Sequence, residues 1–269
     1  MLYTSQHLQK LYAGFCNTPT LWTGDTIFNL KQLQIKNFSE RFQKPQERRL
    51  RLGQLAEQFV FNQLETSENF RVLAENLQIQ NEKLTVGEID ALIELNNKPI
   101  HLEIVYKFFL YDDTSTETEL KKWIGPNRKD SLMEKTDKLL KKQLPLLYSS
   151  YTTTYLNDLG LNPEQIKQQV LFKAQLFTPF GQQINVQKLN SESLYGHYFR
   201  LQQLKDFQEA KFYIPRKLDW FLEPEAQIEW MNYINFKDRA ELFLNDKRSF
   251  MFWSKTPNGL LFKGFLVWW

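Results

Sequence analysis

Cysteine is almost absent from this chain: Cys16 stands alone. One thiol closes no internal disulfide and builds no thiolate zinc site, and it suits a reducing compartment, so a cytoplasmic protein is expected. Histidine is scarce, with three scattered residues, which argues against a histidine-rich metal centre. Glycine occupies only 10 of the 269 positions, with no glycine-rich phosphate loop, no Gly-x-Ser-x-Gly elbow and no His-Glu-x-x-His pair. No run of about 18 apolar residues occurs, and MLYTSQHLQK has no apolar segment of signal-peptide length, so neither a membrane span nor a leader is expected. The net charge of +3 is too mild to call for nucleic acid by itself.

Apolar residues make up 42% of the chain and aromatic ones 15%, enough to bury a core, so disorder is excluded. Most aromatics are expected in that core, with stacking on single-stranded bases as the alternative role. The pattern reads as one domain over 1–269, with an N-terminal annex (1–45), a core (46–177) and a C-terminal extension (178–269). His7 to Phe15 places Leu8, Leu11, Tyr12 and Phe15 on one helical face. The core opens with a helix over 46–64, with Leu50, Leu55, Phe59 and Phe61 as its stripe and Glu57 in its middle. A strand over 70–80 and the hairpin described next follow, then a helix over 130–144 and a strand over 170–177. Beyond lie strand candidates at 195–200 and 211–214, a helix near 224–234, and a hairpin turning on Asn258-Gly259. The aromatic end, Phe265 to Trp269, is expected to pack on its own sheet or on a partner chain.

The most informative stretch is GEIDALIELNNKPIHLEIVYKF, 87–108. Alternation along two strands puts Glu88, Asp90 and Leu92 on one face of the first, and His101, Glu103, Val105 and Lys107 on one face of the second. With Asn96-Asn97-Lys98-Pro99 as the link, Leu95 would pair with Ile100, Glu88 with Lys107, and Asp90 with Val105. Asp90 and Glu103 would then be diagonal neighbours, roughly 7–8 Å apart at the backbone, a spacing that suits one hard divalent cation.

The ordered set Glu57, Gly87-Glu88-Ile89-Asp90 and His101-Leu102-Glu103 resembles the PD-(D/E)XK, restriction-endonuclease-like nuclease superfamily. The longer text, Trp123 to Asp130 and Gln143-Leu144-Pro145-Leu146, is similar to a bacterial family grouped with it, domain of unknown function family 1853. The resemblance implies an α/β fold: an αβββαβ core whose mixed central sheet is flanked by helices, with N- and C-terminal extensions. It implies metal-dependent phosphodiester hydrolysis in DNA or RNA, with Mg2+ or Mn2+ on Asp90, Glu103 and the Ile104 carbonyl, and Glu57 near the metal. The superfamily's lysine falls two residues after the strand glutamate. Here that position is Val105, and Lys107 is the nearest lysine on the same face. Lys135 or Lys138 of the next helix are substitutes.

Each signal also has a plainer reading. Lys107 and Glu88 would make an ordinary cross-strand ion pair, Glu57 a helix-surface charge, and His101 a packed histidine. The eight Lys or Arg between Lys121 and Lys142 against three Asp or Glu form either a solvated helix face or a phosphate-contacting surface. In the second case Arg128, Lys129 and Lys135 are the nucleic-acid-binding candidates. The expectation is a nuclease with nucleic acid as partner and no membrane. A module that keeps the fold without activity is the alternative, and an enzyme for another phosphate ester is a third possibility.

Overall fold

A computed structural model describes residues 3–46 and 48–269. In chain order the elements are α1 (Ser5–Asn17), α2 (Leu52–Glu65), β1 (Phe70–Asn81), β2 (Leu84–Leu95), β3 (Lys98–Tyr111), β4 (Trp123–Ile124), α3 (Leu132–Lys138), α4 (Thr153–Asp158), β5 (Lys167–Pro179), β6 (Leu194–Arg200), β7 (Lys211–Tyr213), α5 (Tyr233–Asn245), β8 (Phe250–Lys255) and β9 (Leu261–Val267). Nine strands form a mixed sheet with helices beside it, the expected α/β class. All four apolar residues expected on the first helix, Leu8, Leu11, Tyr12 and Phe15, are buried. The chain divides into two compact units.

The first unit takes in, of the described residues, 3–9, Thr20–Tyr106 and Glu134–Lys173, with strand order β1-β2-β3-β5. Its entry helix starts later than the 46–64 expected from sequence. Glu47 lies outside the described residues, and 48–51 are not helical. Arg51 takes the cap position, its N–H donating to Gln54 Oε1 at 3.0 Å. The helix begins where a burying stripe begins, at Leu52, Leu55, Ala56 and Phe59, because packing rather than propensity sustains a short helix. Leu50 therefore stands outside the stripe.

The β2–β3 hairpin turns on two residues, not four. Asn96 (φ 51°) and Asn97 (φ 63°) are both left-handed, the backbone of a tight hairpin turn and one that asparagine tolerates. Leu95 pairs with Lys98, and Ile93 rather than Leu95 faces Ile100. The register is thus two residues away from the expected one. A slip of two keeps every side chain on its face, so the polar faces are as expected while the partners across them change. Gly87 of β2 lies close under Leu146: a Cβ there would be 2.8 Å from Leu146 Cδ2.

The helix expected over 130–144 is broken. After α3 comes a π turn, Leu139–Gln143, in which the Leu144 N–H reaches back to the Leu139 carbonyl, and then a 3-10 segment, Leu144–Tyr148. Pro145 cannot donate to a helical ladder, so the regular helix cannot run on through it. Ile79, Ile89, Leu92, Leu146, Leu147, Leu156 and Ile166 form the apolar core against this segment.

The second unit comprises Lys10–Pro19, Lys107–Met133 and Ala174–Trp269. Its strand order is β5-β6-β9-β8-β7, parallel from β5 to β9 and antiparallel beyond. Gly259 (φ +86°) sits in the expected Asn-Gly turn of the β8–β9 hairpin. The expected helix near 224–234 is absent; α5 begins at Tyr233, where the Asn232 side chain caps the Asn235 N–H at 2.9 Å. Stacked Phe212 and Phe236 (4.4 Å between ring centroids), with Phe199 and Phe252, centre the aromatic core. The C-terminal aromatics pack within the same unit: Phe265 against Trp220 at 5.0 Å, and Trp269 Nε1 donating to the Pro126 carbonyl at 3.0 Å.

Candidate functional site

The hairpin ladder lapses at the two central carboxylates. Ala91 and Leu102 are the last main-chain pair, and the next pair in that register is Asp90 with Glu103, directly across instead of diagonal. There Asp90 Oδ2 accepts the Ile104 N–H at 2.8 Å, so a side chain replaces the strand carbonyl as partner. The same position is irregular on the other neighbour. Glu75–Ala91 and Leu77–Ile89 pair on either side, which leaves Asn76 opposite Asp90 with a left-handed φ of 50°.

Glu103 is fully buried, and both of its oxygens are held. Oε1 is 2.9 Å from His101 Nε2, and Oε2 accepts from Gln143 Nε2. The π turn places Gln143 at the end of the broken helix, a type of interruption often found at functional sites. Gln168 settles the histidine tautomer. Its Nε2 donates to the Leu144 carbonyl at 2.6 Å and lies 3.0 Å from His101 Nδ1. An amide nitrogen only donates, so Nδ1 accepts and the ring proton sits on Nε2, aimed at Glu103. Burial pulls the His101 pKa down to about 4, so the ring is neutral at physiological pH.

The acids are electrostatically unsatisfied. Burial, then the charges of Asp90 and Glu88, push Glu57 up to about 8. Burial and the charge of Glu103 push Asp90 up to about 7, against the Ile104 N–H and Lys135. Burial likewise raises Glu103 to about 7, opposed by Lys135, the Asp90 N–H and Lys138. These side chains feel one another's charge, and mutual repulsion of this kind is relieved by a proton or a cation.

Among the described residues no three His, Cys, Asp or Glu side chains converge into a ready-made metal cage. That composition does not fit a zinc or calcium cage. Magnesium needs only one or two protein carboxylates and keeps water and substrate oxygens in its remaining positions. Asp90 and Glu103 are the two carboxylates that could hold such an ion, with Glu57 and Glu88 alongside.

The expected lysine arrangement is corrected. Lys107 donates to Asp130 at 2.5 Å, and Glu88 accepts from Gln78 Nε2, so the Glu88–Lys107 pair does not form. Lys135 is the lysine whose charge bears on Glu57, Asp90 and Glu103, and its Nζ donates to Gln143 Oε1 at 2.9 Å. It belongs to the acidic group rather than to a separate basic surface. In the second unit, Arg128 donates to Asp112 at 2.6 Å and lies 4.8 Å over the Trp269 ring, while Lys129 is exposed. Sequence reasoning missed Gln143 and Gln168 as members of the site and treated His101 as packing. The one available signal was the spacing of His101 and Glu103, one strand step apart on a shared face.

Fold and site together define an α/β protein with a buried acidic group on one hairpin of a mixed sheet. The chain belongs to the family described as Domain of unknown function (DUF1853), whose sequence model matches residues 12–258. No curated protein and no solved structure matches it. Among the described residues no helix is long and apolar enough to cross a membrane.

Proposed function

We propose that the protein is a divalent-metal-dependent nuclease built on a PD-(D/E)XK-like αβββαβ core. The observation that carries this reading is the alignment of Asp90 with Glu103 on neighbouring strands, raised in pKa by burial and shared charge, with Lys135 acting on both. Asp90 and Glu103 would hold Mg2+ or Mn2+, with Glu57 nearby. When bound, the metal lowers the pKa of water and stabilises charge on phosphate oxygens.

The chain's own residues orient and polarise. The Ile104 N–H fixes one oxygen of Asp90; His101 Nε2–H and the Gln143 amide fix both oxygens of Glu103. Such partners lock a carboxylate's rotamer and keep it an acceptor. The Lys135 ammonium supplies positive charge beside the acids, the role the superfamily gives to a lysine at the position of Val105. Gln143 links the two, since it accepts from Lys135 and donates to Glu103.

The test is cleavage of plasmid, single-stranded DNA and structured RNA with Mg2+ or Mn2+, using Asp90→Ala, Glu103→Ala and Lys135→Ala proteins. Metal-dependent cutting lost in all three supports the reading; cutting that survives Asp90→Ala and Glu103→Ala refutes it. A second reading has its own support: both Glu103 oxygens are hydrogen-bonded inside the protein, which suits an inactive module that keeps the fold to bind nucleic acid or a protein. Absence of cutting with every substrate and both metals favours that one.

A further inference from the structure

A pocket of about 290 Å³ lies in the first unit, and Glu57 and Glu88 of the acidic group form part of its wall. The rest of the wall is almost wholly polar: Arg48, Gln54, Gln58, Asn76 and Gln78, with Leu50 as its apolar member and no aromatic side chain. A wall of four primary amides, two carboxylates and one guanidinium does not suit an apolar ligand. It suits a ligand with an anionic end and an edge that both donates and accepts hydrogen bonds, as a nucleotide does.

The hydrogen bonds already made divide the wall into donors and acceptors. Gln54 Oε1 is engaged by the Arg51 N–H, which leaves its NH2 to donate into the pocket. Gln78 Nε2 is engaged by Glu88, which leaves Oε1 to accept. Asn76 Oδ1 is buried with no partner among the described residues, and Asn76 is the left-handed residue across from Asp90. A buried acceptor without a donor is costly. Size limits the ligand. Pockets for small ligands run from about 300 to 1,000 Å³, so this one admits a single nucleotide and not a duplex.

We infer that the pocket seats one unpaired nucleotide, its phosphate on Arg48 and an amino-bearing base edge on Asn76 and Gln78, beside the acidic pair. The inference rests on the nuclease reading for its consequence: substrates with single-stranded or frayed ends are preferred over continuous duplex. The binding itself does not require cleavage.

The experiment titrates the metal-free full chain with CMP, UMP and inorganic phosphate, followed by nuclear magnetic resonance up to millimolar ligand. CMP is expected to bind. UMP, which presents a carbonyl where CMP has an amine, is expected to bind about tenfold more weakly, as is CMP to Arg48→Ala and Asn76→Gly proteins. Glycine suits the positive φ at position 76, so that variant removes the amide without adding backbone strain. No binding of CMP, equal binding of CMP and UMP, or binding indifferent to both substitutions overturns the inference. Pocket binding in a protein that cuts nothing leaves this inference standing and favours the inactive module over the nuclease. Cutting without pocket binding does the reverse.

Discussion

The two units use aspartate in opposite ways. In the first, Asp90 is buried beside Glu103, and its pKa rises to about 7. In the second, Asp112 and Asp113 are also desolvated, yet both are pulled below the ordinary aspartate value. The Thr114 hydroxyl and N–H and the Arg128 guanidinium outweigh burial at Asp112; Arg200, Tyr198 and Gln182 do so at Asp113. A carboxylate that folding surrounds with donors is a structural element. One that folding places beside other carboxylates costs stability and persists where it serves a site. The contrast separates aspartates held by donors from one crowded by another acid.

Substitution should break the contrast most sharply. Asp90→Ala and Glu103→Ala are expected to lower metal-dependent cleavage by at least about 10²-fold. Cleavage within a few-fold of the parent would contradict the assignment. Lys135→Ala is expected to cost roughly 10–100-fold in rate, read by the same assay.

In the second unit the pattern inverts. Asp112→Ala is expected to leave cleavage intact and to destabilise by about 1 kcal/mol in denaturant titration, because it removes the Thr114 contacts and the partly exposed Arg128 pair. A neutral effect on stability would show that this ion pair is only a surface contact.

The pH dependence sharpens the comparison further. Above about pH 5 the unfolded chain has released the protons of Glu57, Asp90 and Glu103, whereas the folded metal-free protein keeps them until about pH 7 to 8. The unfolded state then binds fewer protons, so these three groups make stability fall as pH rises. His101 acts in the opposite sense, its contribution lost as pH falls from about 6.5 towards 4, and it is silent above that range. Between about pH 6.5 and 8 a decline in melting temperature is expected, reversed by magnesium at pH 8 and not at pH 6. A flat or rising profile would rule out the unsatisfied group. The smallest effect is expected from Lys107→Ala, within about 1 kcal/mol of the parent and with cleavage unchanged, since Lys107 is half of the Asp130 pair.

The faces of β2 and β3 were legible in the sequence because strand alternation is a property of the backbone alone, so Asp90 and Glu103 could be placed on one side. Their register was not. It depends on how many residues the turn consumes, and two left-handed asparagines made the turn shorter than a four-residue reading of Asn96-Asn97-Lys98-Pro99. The pairing expected of Lys107 with Glu88 failed for a related reason: counting along an ideal strand cannot show that Asp130, far along the chain, competes for the ammonium. The direction of Lys135 was hidden behind the π turn that brings Gln143 to Glu103. The later start of α2 depended on where its buried stripe begins, and the start of α5 on the Asn232 cap.

By itself the sequence determined the α/β class and the acidic hairpin, both of which follow from local periodicity and residue chemistry. The tertiary structure alone decided which charges meet: Asp90 across from Glu103, Lys135 beside them, and His101 held neutral with its proton on Nε2. Burial and through-space charge set those states, and neither is a property of neighbouring residues in the chain.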